Sequence, residues 1–530
     1  MTRAKTFSFD REAIEALFKP YDSSHEPGVA VGIAHQGVPL YRAGFGLANM
    51  ELPVALGPGI RMRIGSTTKH FTSLAYLLLV EQGLASLDDP VRKHLPELSA
   101  VADRISMRQL MGHISGLRCS MDLVVHLAGI DTPLSTAEQL ALFARQDDVN
   151  FQPGQRWSYN NGAYLLLSLA IERITRQPLE DVLTQRIFQP VGMFDTLLRR
   201  RDDDFVPNSA AQHMLRADGT WVRGSIGPSV AGEGAIVSTV DDMLRWLAHM
   251  QHPTVGTAAS WAALSTPLHL DNGVSTGYGL GLMRNDYRGI EVVHHAGGVV
   301  GGSCQMLKVP ELALDIVVIS NGVKANVVGL ADQIIDLCVD GLAPRAGTQT
   351  GAVFEGHYHC PDLDTVVRFF PLGEQQAAVV EGMPLPLQRA EGWLRSGMPQ
   401  VATAFRIVGG APESPQLVLH EYGRDHAMTR LQPTPSALPP TSERFLNAAS
   451  GAVARFETRD GTPQLRVDAP FGRHPMYYTM QNLGPHLWEL QPQHSLLPLA
   501  GVSLRMVSEA DTFFLTTARN MALSFRKVDA

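Results

Sequence analysis

The strongest constraint on the fold of this 530-residue chain is a change of texture just past residue 340. Before it, short β-branched runs alternate with segments of helical periodicity. After it, helical spacing gives way to short alternating runs. Residues 8 to about 340 therefore read as one α/β unit. Its early segment GVAVGIAHQGVPLYRAGFG has the glycine punctuation of a hairpin. A helix is predicted from Ser66 to about Gln82, with Phe71, Leu74, Ala75, Leu78 and Leu79 at helical spacing and Gly83 as its stop. A second is predicted from about Ala163 to Arg176. ALDIVVISNG reads as a buried strand, and ANVVGLADQIIDLCVD as a closing helix.

The turn-rich stretch GLAPRAGTQTG, residues 341 to 351, reads as a linker. Beyond it, TVVRFF, QAAVV, WLRSG and TAFRIV suggest a small antiparallel barrel. A proline-rich second linker, QPTPSALPPTSE, precedes another β region. The two β regions share weak marks of duplication. VVRFF near Arg368 answers VARFE near Arg455, MPLPL at 383 answers APFGR at 469, and Trp393 answers Trp488. The expected organisation is multi-domain: an α/β domain over 1–343, then antiparallel β-barrel domains over 351–432 and 443–530.

Composition removes several classes of function. The net charge is −8 with both signs interspersed and no basic run, so nucleic acid is not an expected partner. No run of about 18 apolar residues marks a membrane span. The charged start MTRAKTFSFDREAIEALF lacks the apolar core of a secretory signal. Cys119, Cys304, Cys338 and Cys360 have no metal-ligand spacing and read as reduced structural thiols. Together these features point to the cytoplasm.

Three short motifs carry chemistry. In Ser66-Thr67-Thr68-Lys69, the hydroxyl and the amine share one helix face, and a serine needs such a base to become a nucleophile. A desolvated lysine loses its charge more easily and can take the proton. In Tyr159-Asn160-Asn161, the phenol can relay a proton to a leaving group, while the Asn161 amide can bond a substrate carbonyl or Lys69; capping of the following helix is the plainer alternative. In His295-Ala296-Gly297-Gly298, the glycines allow close approach of a substrate backbone, and the imidazole can polarise a substrate group. His294 points to the opposite face of an extended strand.

SxxK, YxN and HxG in this order resemble the penicillin-recognising serine hydrolases: class C β-lactamases, DD-peptidases, D-aminopeptidases and related esterases. LVEQGLASLDDPV, LMGHISGL, QPGQRWSYNNGAYLLLSLAIERITRQPL, GAIVSTVDDMLRW and YGLGL carry the same likeness, over about residues 10 to 340. With two barrels following, the chain resembles the D-aminopeptidase branch. The resemblance implies an α/β β-lactamase/penicillin-binding-protein-like catalytic domain. Ser66, Lys69 and Tyr159 would be catalytic, and Asn161, His295, Gly297 and Gly298 substrate-binding. It implies acyl transfer with no cofactor and no metal. The expected partner is a small peptide, amide or ester, while a homodimer is left open.

The likeness also implies a loop of the last barrel that enters the cleft with an aspartate. The matching stretch is DAPFGRHPMYY, residues 468 to 478. Aligned on the Met-Tyr pair, Pro475 stands where the aspartate would be, and Asp468 is the expected substitute. This loop is expected near Ser66. A neutral His295 in place of a motif lysine favours amides or esters without a carboxylate there. The alternatives are an esterase of the same family and a non-catalytic binding protein on this fold.

Overall fold

The structure, a computed structural model, describes residues 4–345, 353–380, 382–396, 403–433, 443–493, 501–507 and 511–529. Residues 4–340 fold around a six-stranded antiparallel sheet. The elements used below are helix α1 (Arg11–Phe18), strands β1 (Val29–His35) and β2 (Val38–Phe45), helices α2 (Lys69–Glu81), α3 (Ser120–Ala128), α4 (Asn161–Thr175) and α5 (Val240–Gln251), strands β3 (Met283–Tyr287), β4 (Ile290–Val299), β5 (Gly302–Val309) and β6 (Leu314–Ser320), and helix α6 (Val327–Cys338). The sheet order is β3-β4-β5-β6-β1-β2, so the first hairpin closes onto the last strand.

Both faces of this sheet are covered, which is why its central strands read as unbroken apolar runs. Val29, Val31 and Ile33 meet Ile14 and Phe18 of α1 and Ile334 of α6 in one core. The alternate residues Ala30 and Ala34 face a larger core with Phe71 and Leu74 of α2 and Leu244 of α5. Small side chains on that face let a helix close in. At Gly32 a Cβ would stand 2.4 Å from a methyl of Val240. Helix α2 is buried almost all round, as its composition requires.

The predicted elements fall within a few residues of the observed ones. The Ser66 segment differs in kind: Gly65–Thr68 is a 3-10 turn, and α-helix starts only at Lys69.

Two closed eight-stranded antiparallel barrels follow, over Gly356–Arg430 and Arg444–Val528. Both are filled by aromatic residues, Phe369 and Phe405 in the first and Phe445, Phe456, Phe513 and Phe525 in the second. The marks of duplication fall partly in step. VVRFF and VARFE lie in each barrel's second strand, and Trp393 and Trp488 in each fifth. MPLPL is the fourth strand of its barrel, whereas APFGR is the connection before the fourth strand of the other. That pair of segments is not equivalent. Residues 346–352 and 434–442 of the two linkers lie outside the described residues.

The second barrel is seated on α3, whose Leu123 and Leu127 share its core. The first reaches the α/β region through Glu421, ion-paired with Arg156 at 2.8 Å. Among the described residues no helix is long and apolar enough to cross a membrane. All four cysteines are buried free thiols.

Candidate active site

Gly65, at φ +54°, turns the chain so that Ser66 stands half-buried at the mouth of a cleft while Lys69 is wholly buried beneath it. The Lys69 amine has three close partners: Ser66 Oγ at 3.1 Å, Asn161 Oδ1 at 2.8 Å and the Glu233 carbonyl oxygen at 2.7 Å. Burial pushes its pKa well below the usual lysine range, and Arg519 pushes it the same way, against an opposing pull from Glu233. Once deprotonated, this amine would have two N–H donors and one lone pair. Asn161 and Glu233 offer pure acceptors and take the two donors. The lone pair is then left for the Ser66 hydroxyl, which is the geometry of a base beside its nucleophile.

Tyr159 lies over the same amine, 4.7 Å from nitrogen to ring centroid. Its buried hydroxyl faces Ser66 without completing a hydrogen bond. Burial raises its pKa above the usual phenol value, so it holds its proton. The two adjacent asparagines divide the expected roles. Asn160 caps α4, accepting from Ala163 N–H at 3.1 Å, and Asn161 reaches Lys69.

Strand β4 presses against the Ser66 turn. A Cβ at Gly297 would fall 1.9 Å from the Ile64 carbonyl oxygen, so glycine is required there. Gly298 lines the cleft beside Ser66. His295 turns inward instead. Its Nδ1–H donates to the Ala296 carbonyl at 2.6 Å, and its Nε2 accepts from Tyr278 at 3.2 Å. Burial, and then the nearby Lys69, lower its pKa to about 3, so the ring is neutral with both nitrogens occupied. His294 faces the other side, bonded to Asn285 at 2.6 Å.

The structure thus brings Ser66, Lys69, Tyr159, Asn161, His295, Gly297 and Gly298 together. Asp468 is elsewhere. It ends a strand of the second barrel, holds Arg466 in a paired ion bridge at 2.9 Å, and is not among the residues lining the cleft. The stretch 468–478 is corrected with it. It packs on the outside of α3, where Phe471 meets Val124, Gly472 abuts Ala128, and Tyr478 donates to the His126 carbonyl at 2.6 Å. Its apolar residues Phe471 and Met476 pack there partly buried, and Pro475 carries no group to draw it inward.

Other barrel segments border the cleft: Ala518 and Arg519 of the second barrel and Gly382 of the first. The Arg519 guanidinium lies 5.0 Å from the Tyr159 ring centroid. The cleft, of about 480 Å³, also has apolar walls from Met121, Val125, Ile130, Ile226 and Val299.

Four residues of the site escape the motif reading. His113 is held among Trp157, Tyr159, Tyr164 and Tyr278 and accepts from Asn160 N–H. Tyr278 supports His295. Glu233 is buried with both carboxyl oxygens lacking a hydrogen bond, and burial raises its pKa. LMGHISGL and YGLGL contain the first two and GAIVST directly follows Glu233, so these three lie beside legible phrases. Arg519 has no local signal.

Known proteins give the same picture. A family model described as Beta-lactamase matches residues 14–339. A D-aminopeptidase of Brucella anthropi is 30% identical over 306 residues, 56% of each chain. A D-aminopeptidase of Gluconobacter oxydans is 27% identical over 343 residues, 63% of each. The chain therefore spans little more than half the length of these curated relatives. Among solved structures, an octameric penicillin-binding protein homologue from Pyrococcus abyssi aligns at TM-score 0.58 and 20% identity, over 88% of this chain and all of the other. A D-amino acid amidase from Ochrobactrum anthropi SV3 aligns at 0.53 and 23%, over 62% and 97%. These two likenesses concern the fold alone. With the family model covering well over half of its length, the chain belongs to the beta-lactamase family.

Proposed function

We propose that this protein is a serine hydrolase that works through an acyl-enzyme and releases N-terminal D-amino acids from peptides, amides or esters. One observation carries the reading: a buried Lys69 amine, its pKa pulled down by burial, stands 3.1 Å from the Ser66 hydroxyl. The curated relatives named D-aminopeptidase support the substrate class. The domains of this reading are a catalytic unit over 1–343 and barrels over 351–432 and 443–530. The four unpaired thiols support a reducing compartment, the cytoplasm.

Ser66 attacks the substrate carbonyl and Lys69 takes its proton. Tyr159, still protonated, hands a proton to the departing amine or alcohol. Backbone N–H groups of Ser66 and of β4 beside Gly298 hold the oxyanion, and Asn161 anchors both Lys69 and the acyl carbonyl. Water then releases the acid by the same route reversed. His295 acts through Tyr278 and the strand, as a positioning residue.

The test is a panel of D- and L-alanine p-nitroanilides beside p-nitrophenyl esters, with Ser66→Ala as control. Turnover of the D-anilide that vanishes in the variant is the expected result. A variant that kept a tenth of the activity would remove Ser66 as nucleophile. Turnover of esters alone would make the protein an esterase of the family.

A further inference from the structure

The charged groups around the cleft are engaged within the protein. Asp202 takes Arg63 at 2.7 Å, Arg199 at 3.2 Å and the Ile226 N–H at 2.9 Å. Asp122 takes Asn520 at 2.8 Å and also Thr517, and His126 stands 3.5 Å from it. Arg519 lies against the Tyr159 ring. Both carboxyl oxygens of Glu233 are enclosed. What the cleft leaves open is apolar. Met121, Val125, Ile130, Ile226, Val299 and Val300 line it from three segments: α3 with the turn after it, the loop at 226, and the end of β4. Met121 and Val125 are four residues apart on α3 and so share one face. Val125, Ile130 and Val300 pack together, with Met121 and Ile226 against them, in a cluster of their own.

This wall is fixed from both ends of α3. Asn520 is fully buried and exchanges hydrogen bonds with the Cys119 backbone, accepting from its N–H at 2.8 Å and donating to its carbonyl at 3.1 Å. At the other end Tyr478 donates to the His126 carbonyl. Gly298, one residue before Val299, also lines the cleft beside Ser66, so the wall begins next to the nucleophile. A cleft of about 480 Å³ falls in the range that holds a drug-sized molecule, well beyond an acetyl group. Water against such a wall is released favourably when an apolar group covers it. We propose that this wall binds a bulky apolar group of the substrate, an aromatic ring or a long branched chain. The inference rests on Ser66 being the acylated residue, and it narrows the substrate class from small residues to large apolar ones. The group belongs either to the acyl part, as the side chain of the residue released, or to the leaving part, as the first side chain of the remaining peptide.

The experiment compares kcat/KM on two pairs of esters, each value divided by the spontaneous hydrolysis rate of the same ester. The acyl pair is p-nitrophenyl acetate and p-nitrophenyl 3-phenylpropionate. The leaving pair is methyl acetate and benzyl acetate, followed by acid release. In one pair the bulky ester should be preferred about tenfold or more, the scale of burying one large apolar side chain. The pair that responds identifies the side. Val125→Thr nearly keeps the shape but puts a hydroxyl on the wall, and should cut that preference about threefold. Met121→Trp fills the cleft and should cut it about tenfold. Preferences are ratios, so any general loss of activity cancels. A wild type with no preference for either bulky ester overturns the proposal, and that comparison needs no variant to fold. A preference left unchanged by both substitutions, at the wild-type unfolding temperature, overturns it as well, because the group then binds elsewhere. D-Alanine and D-phenylalanine p-nitroanilides test the aminopeptidase reading separately. If neither is turned over while the bulky-ester preference is intact, that reading falls and the apolar subsite stands.

Discussion

The connection 469–475 and the turn 517–522 leave the same barrel and meet the same helix, α3, at its two ends. The first meets it through apolar surface: Phe471 against Val124 and Gly472 against Ala128. The second meets it through hydrogen bonds to Cys119 and Asp122. Apolar burial is non-directional and tolerates a small slide. Hydrogen bonds weaken steeply with angle and hold both position and orientation. One connection therefore docks the barrel, and the other holds the turn that borders the cleft.

Three substitutions probe this division. The largest effect belongs to neither connection. Lys69→Ala should lower the pre-steady-state acylation rate by about 10² or more, the scale of a lost acid–base group. Both connections stay seated, so thermal unfolding should show no loss of barrel docking. An unchanged rate would take Lys69 off the proton path.

Asn520→Ala breaks the contact that holds the turn. It leaves the Cys119 N–H buried and without its Asn520 partner, at a cost of about 1–3 kcal/mol, while the Cys119 carbonyl still accepts from Leu123 N–H. kcat/KM on p-nitrophenyl acetate should fall about threefold or more, because the turn that borders the cleft is no longer held. If stability drops while kcat/KM stays put, the turn only docks.

Phe471→Ala breaks the docking contact. The ring is only partly buried, so the expected loss is about 1–2 kcal/mol, below that of a fully buried phenylalanine. Chemical denaturation measures it. kcat/KM on p-nitrophenyl acetate should stay within about twofold of wild type, inside the effect of one hydrogen bond. A larger change would mean that the two connections are coupled through α3.

Legibility in the sequence follows the same line. The β1–β2 hairpin, α2, β6 and α6 announce themselves by periodicity, because each buries a face whose pattern is local. The Ser66–Lys69 pair is one helical turn and needs no partner to be seen. Asn161 reaching Lys69 spans 92 positions and was visible only through the order of the motifs. The Asn520 clamp on Cys119 spans 401 positions and consists of single polar residues in a short turn. No periodicity records such a contact. The Met-Tyr pair sets a register that points to Asp468, but the apolar residues around it decide where that loop lies. His113 and Tyr278 sat inside recognisable phrases, yet a buried aromatic reads as core until its neighbours are known.

The clamp on Cys119 also sets an order in time. The α/β region leaves the ribosome first and can fold as a unit before the barrels exist. Ser66, Lys69, Tyr159 and β4 would then be assembled around a cleft open on the side where Ala518 and Arg519 later stand. That opening persists until Asn520, 401 positions after Cys119, has been made and has found its partner. During synthesis the nascent chain thus passes through a stage with Ser66 and Lys69 in place and one wall of their cleft absent.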